Sequence, residues 1–459
     1  MIKTILIIIA VLTSYFASGQ EILGQWNGTL NVSGTSLRVV YHINKAENGY
    51  TATMDSPDQN AVGIPIQKTT FENSVLKLEI PNAQISYEGT LNKDNIIVGK
   101  FTQGGRSLEL NLAKENLSKE SSAKQVYVRP QEPQKPYPYY TEDVKFENKT
   151  DKVVLAGTLS LPKKEGNFPA VILITGSGKQ NRDEEMLGHK AFLVLADYLT
   201  RKGIAVLRFD DRGAGESTGD FSKATTLDFA KDVQAGVDYL KTRKEINKNK
   251  IGLIGHSEGG LIAPIVAGNS TAINFIVLLA GPGIRGDKLL LLQKELLEKQ
   301  YGAAESDIQQ GQENFKGAYD IIIASAANDE NLKNKVDNYF KSKYDENVSK
   351  SLTAQITNNW MYTFLRLDPA TILPKVKCPV LALNGSKDLQ VPAEINLEAI
   401  KKTLLQAGNK KVTIKELPNL NHLFQECKTG SPLEYEKIEQ TFSPIALEQI
   451  SNWVLLQTK

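Results

Sequence analysis

Gly255-His256-Ser257-Glu258-Gly259-Gly260 follows directly on the apolar run Ile251-Gly252-Leu253-Ile254. A serine held between a strand end and a helix start must take a strained backbone, and flanking glycines keep neighbouring segments from clashing. Such a turn lifts the hydroxyl clear of the sheet and aims the next backbone N–H, that of Glu258, into the same space. The run Leu261-Ile262-Ala263-Pro264-Ile265-Val266 is compatible with the helix that the turn needs. A glycine-rich turn with a purely structural role is the competing reading, and the strand before and helix after it weigh against that.

A serine hydroxyl is a poor nucleophile without a base. The chain has 4 histidines. His42 lies in an amino-terminal β-rich region, where packing or solvent exposure is expected. His256 neighbours the serine, and its side chain is expected to point elsewhere. His189 falls early in a helical region, where capping or surface roles are the ordinary expectation. His422 follows the strand Val412 to Leu417 and the loop Pro418-Asn419-Leu420-Asn421. That placement puts it at the carboxyl edge of a sheet, where the serine turn also lies, so His422 is the expected base. The third group should be a carboxylate that orients the imidazole and stabilises its cation. Asp388, reached from the strand Pro379 to Leu383 through Asn384-Gly385-Ser386-Lys387, stands at the same edge. Glu394, beyond Pro392, and Glu416, within a strand, are weaker rivals.

An acyl-transfer site also needs a second oxyanion donor. Ile174-Thr175-Gly176-Ser177-Gly178 ends a strand, and the Ser177 N–H is the candidate, with glycines on both sides permitting close approach. Ser177 as nucleophile lacks the strand–helix turn. A phosphate-cradling loop fails for want of a following Lys-Ser or Lys-Thr pair. Arg182 and Asp183 are expected to pair with each other rather than to hold a substrate carboxylate. Asp210-Asp211-Arg212-Gly213 reads either as a pocket wall or as an internally bonded turn. This chemistry calls for no metal and no organic cofactor.

These groups must be held by a sheet. From Glu142 onward, apolar strands (170–174, 204–209, 251–254, 275–279, 380–383) alternate with amphipathic helical stretches such as Thr226 to Leu240. Uninterrupted apolar strands between helices predict a mostly parallel sheet covered on both faces. Residues 286–366 break the rhythm as a charged, helical insertion without strands. Residues 20–118 carry short alternating β runs, such as Ser36 to Ile43 and Ser74 to Ile80, and predict a small barrel or sandwich. A proline-dense linker over 119–140 separates the two.

With 54 basic and 52 acidic residues, net charge +2, no field draws the chain to nucleic acid. Lys3, the apolar run Ile5 to Leu12 and the small residues Ala17-Ser18-Gly19 predict a signal peptide over 1–19 and a secreted or periplasmic protein. The run is short for a bilayer span, so no lasting membrane span is expected after its removal, a permanent anchor being the alternative. Cys378 begins a strand and Cys427 follows His422 at the opposite end of the sheet, about 17 Å away by strand rise. Two free thiols are therefore expected.

Residues 141–459 resemble the α/β-hydrolase superfamily, in its carboxylesterase or serine aminopeptidase-like branch. The likeness is carried by Leu155 to Leu159, Gly176-Ser177-Gly178, Asp210 to Gly213, Gly255 to Gly259 and Cys378-Pro379-Val380. It resembles bacterial esterases whose Gly-Ser-Gly loop is followed by Arg-Asp-Glu, here Arg182-Asp183-Glu184; Thr175-Gly176 stands where more familiar relatives have His-Gly. The resemblance implies an α/β-hydrolase fold with a helical cap at 286–366, and the order Ser257, Asp388, His422 agrees with it. The superfamily's fold alone does not choose the substrate. With this Ser–Asp–His set the reading is hydrolysis of a small-molecule carboxylic ester through an acyl-enzyme on Ser257, with short acyl groups expected because nothing in the sequence suggests a long lipid tunnel. A peptidase acting on short peptides is the nearest alternative. A glycan- or lipid-binding protein on a vestigial hydrolase scaffold is a third, against which the complete Ser–Asp–His set argues.

Overall fold

The computed structural model describes residues 22–32, 35–57, 61–81, 85–103, 106–114, 127–326 and 329–459. The expected signal peptide and residues 115–126, which include the start of the expected linker, lie outside them. The chain divides between Lys124 and Gln125 into two compact units.

The amino-terminal unit is one antiparallel, barrel-like sheet, running in the order 61–66, 49–56, 35–46, 24–32, 112–113, 96–103, 85–91, 75–80 and 68–72. Side chains alternate strictly along Ile85–Leu91, buried and exposed in turn, as a one-sided sheet requires. Its interior holds Trp26, Tyr41 and Tyr87, each fully buried. Tyr87 reaches the Leu110 carbonyl (3.1 Å) across two glycines, Gly89 and Gly99, where any Cβ would strike the phenol. Burial pushes the Tyr41 and Tyr87 phenols well above the usual tyrosine range.

The second unit is built on eight strands, numbered in chain order: β1 (Tyr140–Asn148), β2 (Val153–Leu161), β3 (Phe168–Ile174), β4 (Ala205–Phe209), β5 (Ile246–His256), β6 (Ile273–Leu279), β7 (Val380–Gly385) and β8 (Val412–Leu417). Their spatial order is β1-β2-β4-β3-β5-β6-β7-β8. The first two join antiparallel, and from β4 to β8 every neighbour is parallel. This is the α/β-hydrolase architecture.

The helices are α1 (Ala191–Arg201), α2 (Thr226–Thr242), α3 (Gly259–Asn269), α4 (Gly286–Gln300), α5 (Glu305–Ala324), α6 (Leu332–Lys341), α7 (Glu346–Ile356), α8 (Asn359–Arg366), α9 (Pro369–Ile372), α10 (Ala393–Gln406) and α11 (Pro444–Gln457). Alternation along β3 shows why the sheet is buried on both faces. Ala170, Ile172 and Ile174 pack with α2, α3 and α10, whereas Val171 and Leu173 pack with α1 and α11. No polar residue is tolerated on either side, which is why β3 reads as an unbroken apolar run. Helices α4 to α8 form the insertion between β6 and β7, with their own core of Tyr319, Ile322, Val336 and Phe340. Among the described residues no helix is long and apolar enough to cross a membrane.

The register aligns the carboxyl ends of the parallel strands. Ile174 pairs with Gly255, His256 with Leu279, Leu279 with Leu383, and Gly385 with Leu417. Chain leaving β3, β5, β7 and β8 therefore emerges along one edge. Both cysteines are free.

Candidate active site

Ser257 leaves β5 with φ +53°, a left-handed conformation that a non-glycine residue adopts only under constraint. Its N–H is held by the Leu279 carbonyl of β6 (2.8 Å). The turn is tight on every side. A Cβ on Gly255 would lie 1.9 Å from the Gly259 carbonyl oxygen, and one on Gly259 would lie 2.2 Å from that of Ile174. Glu258 heads α3 with helical φ and ψ, so its N–H sits at the positive end of the helix.

Asp388 and His422 meet at the same edge. Their side chains are almost fully buried, and His422 Nδ1 lies 2.7 Å from Asp388 Oδ2. The other oxygen of Asp388 accepts the N–H groups of Gln390 and Val391, both at 2.8 Å. These two bonds fix the carboxylate plane against the imidazole. The His422 loop is tied by Asn421, whose Oδ1 accepts the N–H groups of Leu423 and Gln425 (3.0 and 2.9 Å). Asn421 is fully buried, so this short-range turn is protected from water.

The loop after β3 is secured from below. Thr175 Oγ1 donates to Asp211 Oδ1 (2.8 Å), and the Gln180 N–H reaches Asp211 Oδ2 (2.9 Å). Gly176 N–H donates to Glu184 Oε1 (2.7 Å). Burial pushes the Asp211 carboxyl up to about 7. Ser177 itself is exposed, and it lines the same cleft as Ser257 and His422. That cleft is also lined by Gln180, Glu184, Met186, His189, Gln390 and Thr441. The Glu258 side chain turns away beneath the elbow, where Thr226 Oγ1 (2.6 Å) and Trp360 Nε1 of α8 (2.8 Å) donate to its Oε1. Burial outweighs these donors and pushes the Glu258 carboxyl up to about 7.

Ser257, His422, Ser177 and Gly176 thus share one cleft, with Asp388 behind His422. Other expectations need correction. Arg182 does not pair with Asp183: its guanidinium grips Asp210 (2.8 and 3.1 Å), and Asp183 pairs instead with Arg208. Side chains of adjacent residues diverge, and the bend at Glu184, φ +47°, belongs to the same turn. His189 is neither a cap nor a surface residue. It is buried in a short hairpin, 185–190, with Thr441 Oγ1 at 3.0 Å and the Tyr435 carbonyl at 2.8 Å. Asp210-Asp211-Arg212 serves both of its readings, because Ser217 Oγ bonds back to the Asp210 carbonyl while Asp211 holds the cleft-lining loop. His256, expected to point elsewhere, lines the same cleft as Ser257 and His422, because its ring is held between the loop after β3 and the loop after β8. The Trp360 side chain escaped the sequence reading. Among the described residues no group of three or more His, Cys, Asp or Glu side chains converges as a metal site requires.

A family model described as serine aminopeptidase, S33, matches residues 189–426. The esterase EstD of Thermotoga maritima is 28% identical over 320 residues, which cover 69% of this chain and 70% of EstD. Among solved structures, the Pyrococcus furiosus esterase Pf2001 aligns with TM-score 0.42 and 18% identity, over 69% of this chain and 92% of that one. Est1E from Butyrivibrio proteoclasticus aligns with TM-score 0.41 and 17% identity, over 69% and 98% of the two chains.

Proposed function

The chain belongs to the serine aminopeptidase (S33) family of α/β-hydrolases, and we propose that it is a serine hydrolase that cleaves small carboxylic esters through an acyl-enzyme. In this reading Ser257 attacks the ester carbonyl as His422 takes its proton, and the alcohol leaves with that proton. Water then attacks the acyl-enzyme, His422 again accepting a proton and returning it to Ser257 as the acid is released. Asp388 holds the imidazole in the tautomer that leaves Nε2 free to act as base. The N–H groups of Glu258 and Ser177 receive the oxyanion. The observation that carries this is the left-handed Ser257 in a cleft shared with a His422 whose Nδ1 is 2.7 Å from a buried carboxylate.

An ester is favoured over a free peptide by the chemistry of the cleft wall. An aminopeptidase needs a carboxylate to receive the substrate's amine, and the carboxylate among the cleft-lining residues, Glu184, already has a backbone amide and an imidazole on one oxygen. Similarity to EstD, named an esterase, points the same way. Export belongs to the same reading and rests on the composition of residues 1–19.

Hydrolysis of p-nitrophenyl acetate, butyrate and octanoate by the wild-type protein and by Ser257→Ala tests the proposal. Turnover that favours the shorter esters and vanishes in the variant is expected. Undiminished turnover in Ser257→Ala would remove the acyl-enzyme from consideration.

A further inference from the structure

His256 takes no part in the proton transfers above, yet it is built into the site more tightly than a spacer requires. It is buried, and its ring centroid lies 4.8 Å from that of His422. Both ring nitrogens are engaged. Nε2 lies 2.9 Å from the His422 carbonyl oxygen, which can only accept, so Nε2 carries a proton. Nδ1 lies 2.9 Å from Glu184 Oε1, the same oxygen that accepts the Gly176 N–H at 2.7 Å. Burial works against an imidazolium here, but the charge and hydrogen bond of Glu184 raise the His256 pKa above the usual histidine value.

We propose that Glu184 and His256 are positioning residues that lock the Gly176-Ser177 oxyanion loop and the His422 loop to the nucleophile elbow. One carboxylate oxygen and one ring join three segments far apart in the chain: the loop after β3, the end of β5 and the loop after β8. Glu184 is itself held in a left-handed conformation, φ +47°, with its N–H on the Asn181 carbonyl (2.9 Å). A constrained backbone that turns a buried carboxylate onto two active-site loops is more than packing needs, because buried charge is costly to desolvate.

The chemistry of the pair makes it hard to replace. Glutamine at 184 is close to isosteric but cannot serve both partners. Without the negative charge His256 loses its Nδ1 proton, since Nε2–H stays committed to the His422 carbonyl. The bare Nδ1 then faces the amide oxygen, lone pair to lone pair. Turning the amide satisfies Nδ1 and aims an N–H at the N–H of Gly176. Moving the ring proton from Nε2 to Nδ1 relieves the first arrangement but frees the His422 carbonyl, and the second frees the Gly176 N–H, so either the His422 loop or the oxyanion loop is released. Both act on the transition state, so the loss falls on kcat and not on substrate binding.

The inference rests on the proposed role of Ser257, so Ser257→Ala is measured alongside. For Glu184→Gln a fall in kcat of about tenfold is expected, and for Glu184→Ala about a hundredfold, the low end of the cost of deleting an oxyanion donor outright. KM should stay within about threefold, and the rate of Ser257 phosphonylation by a fluorophosphonate should fall in step with kcat. A Glu184→Ala protein without a cooperative thermal transition is replaced by His256→Gln, for which the same split between kcat and KM is expected. Wild-type kcat in the folded Glu184→Gln variant, or a loss confined to KM, overturns the inference. If Ser257→Ala is inert while the Glu184 variants match wild type, this inference alone fails; if Ser257→Ala retains activity, the proposed function fails with it.

Discussion

Replacing Asp388 by asparagine should abolish most turnover without unfolding the protein, and the hydrogen bonds around the carboxylate show why. Oδ1 accepts two backbone N–H groups, from Gln390 and Val391, while Oδ2 faces His422 Nδ1. An asparagine can be seated in two ways. Placing its NH2 against the two backbone donors leaves both buried and unsatisfied, at about 1–3 kcal/mol each. Keeping its oxygen there instead presents NH2 to His422, which must then accept at Nδ1 and carry its proton on Nε2. A tautomer change costs less than two lost buried bonds, so the second arrangement wins. An Nε2 that holds a proton cannot take one from Ser257. The same exchange in other Ser–His–Asp sites lowers kcat about 10⁴-fold, equivalent to about 5 kcal/mol of transition-state stabilisation. The assay is kcat and KM on p-nitrophenyl butyrate at neutral pH, with the thermal transition as a check on folding. A folded Asp388→Asn protein with kcat within about tenfold of wild type, well short of that loss, would refute the assigned role.

Two further outcomes follow from the elbow's surroundings. Glu258 has its carboxyl pushed up from the usual value to about 7 by burial, so the folded state holds a proton that the unfolded chain has already lost across that interval. Stability contributed by this group is full below about pH 4.5 and is lost as pH rises toward 7, by on the order of 3 kcal/mol. Glu258→Gln keeps the shape and removes the titration, so its denaturation midpoint relative to wild type should rise between pH 4.5 and 8. A relative stability that stays constant with pH contradicts the burial account. At Gly255 an added methyl would meet backbone atoms of Gly259 and Gly260 at 1.9 and 2.7 Å, neither of which can step aside. Gly255→Ala should therefore lose about 3 kcal/mol or more, together with most activity; unchanged melting and turnover would show that the elbow is looser than its geometry implies.

The α/β fold was legible because the physics that makes it is local in sequence. Strands buried on both faces must be apolar at every position, and Ala170 to Ile174 and Phe275 to Leu279 are. The parallel register then brings residues that follow a parallel strand to one edge, so Ser257, Asp388 and His422 are placed together by the order of strands alone. What stayed hidden depends on loop conformation. Arg182 stands beside Asp183 in sequence yet grips Asp210, because a turn sets the two side chains apart. The Glu184–His256 contact and the bond from His256 to the His422 carbonyl join residues separated by 72 and 166 positions, and no periodicity announces them. Trp360 reaches Glu258 from within the insertion, whose packing the sequence showed only as a charged helical stretch. Left-handed Ser257 was the one loop conformation foreseen, since flanking glycines advertise it.

The central claim is that Ser257 is the residue acylated during turnover. Incubation with a fluorophosphonate, followed by proteolysis and mass spectrometry of the adduct, tests it most directly. A single phosphonyl group on the peptide bearing Ser257, absent from Ser257→Ala and slow to form in Asp388→Asn, is the predicted result. An adduct on Ser177, or wild-type protein left unmodified while it hydrolyses esters, would contradict the account.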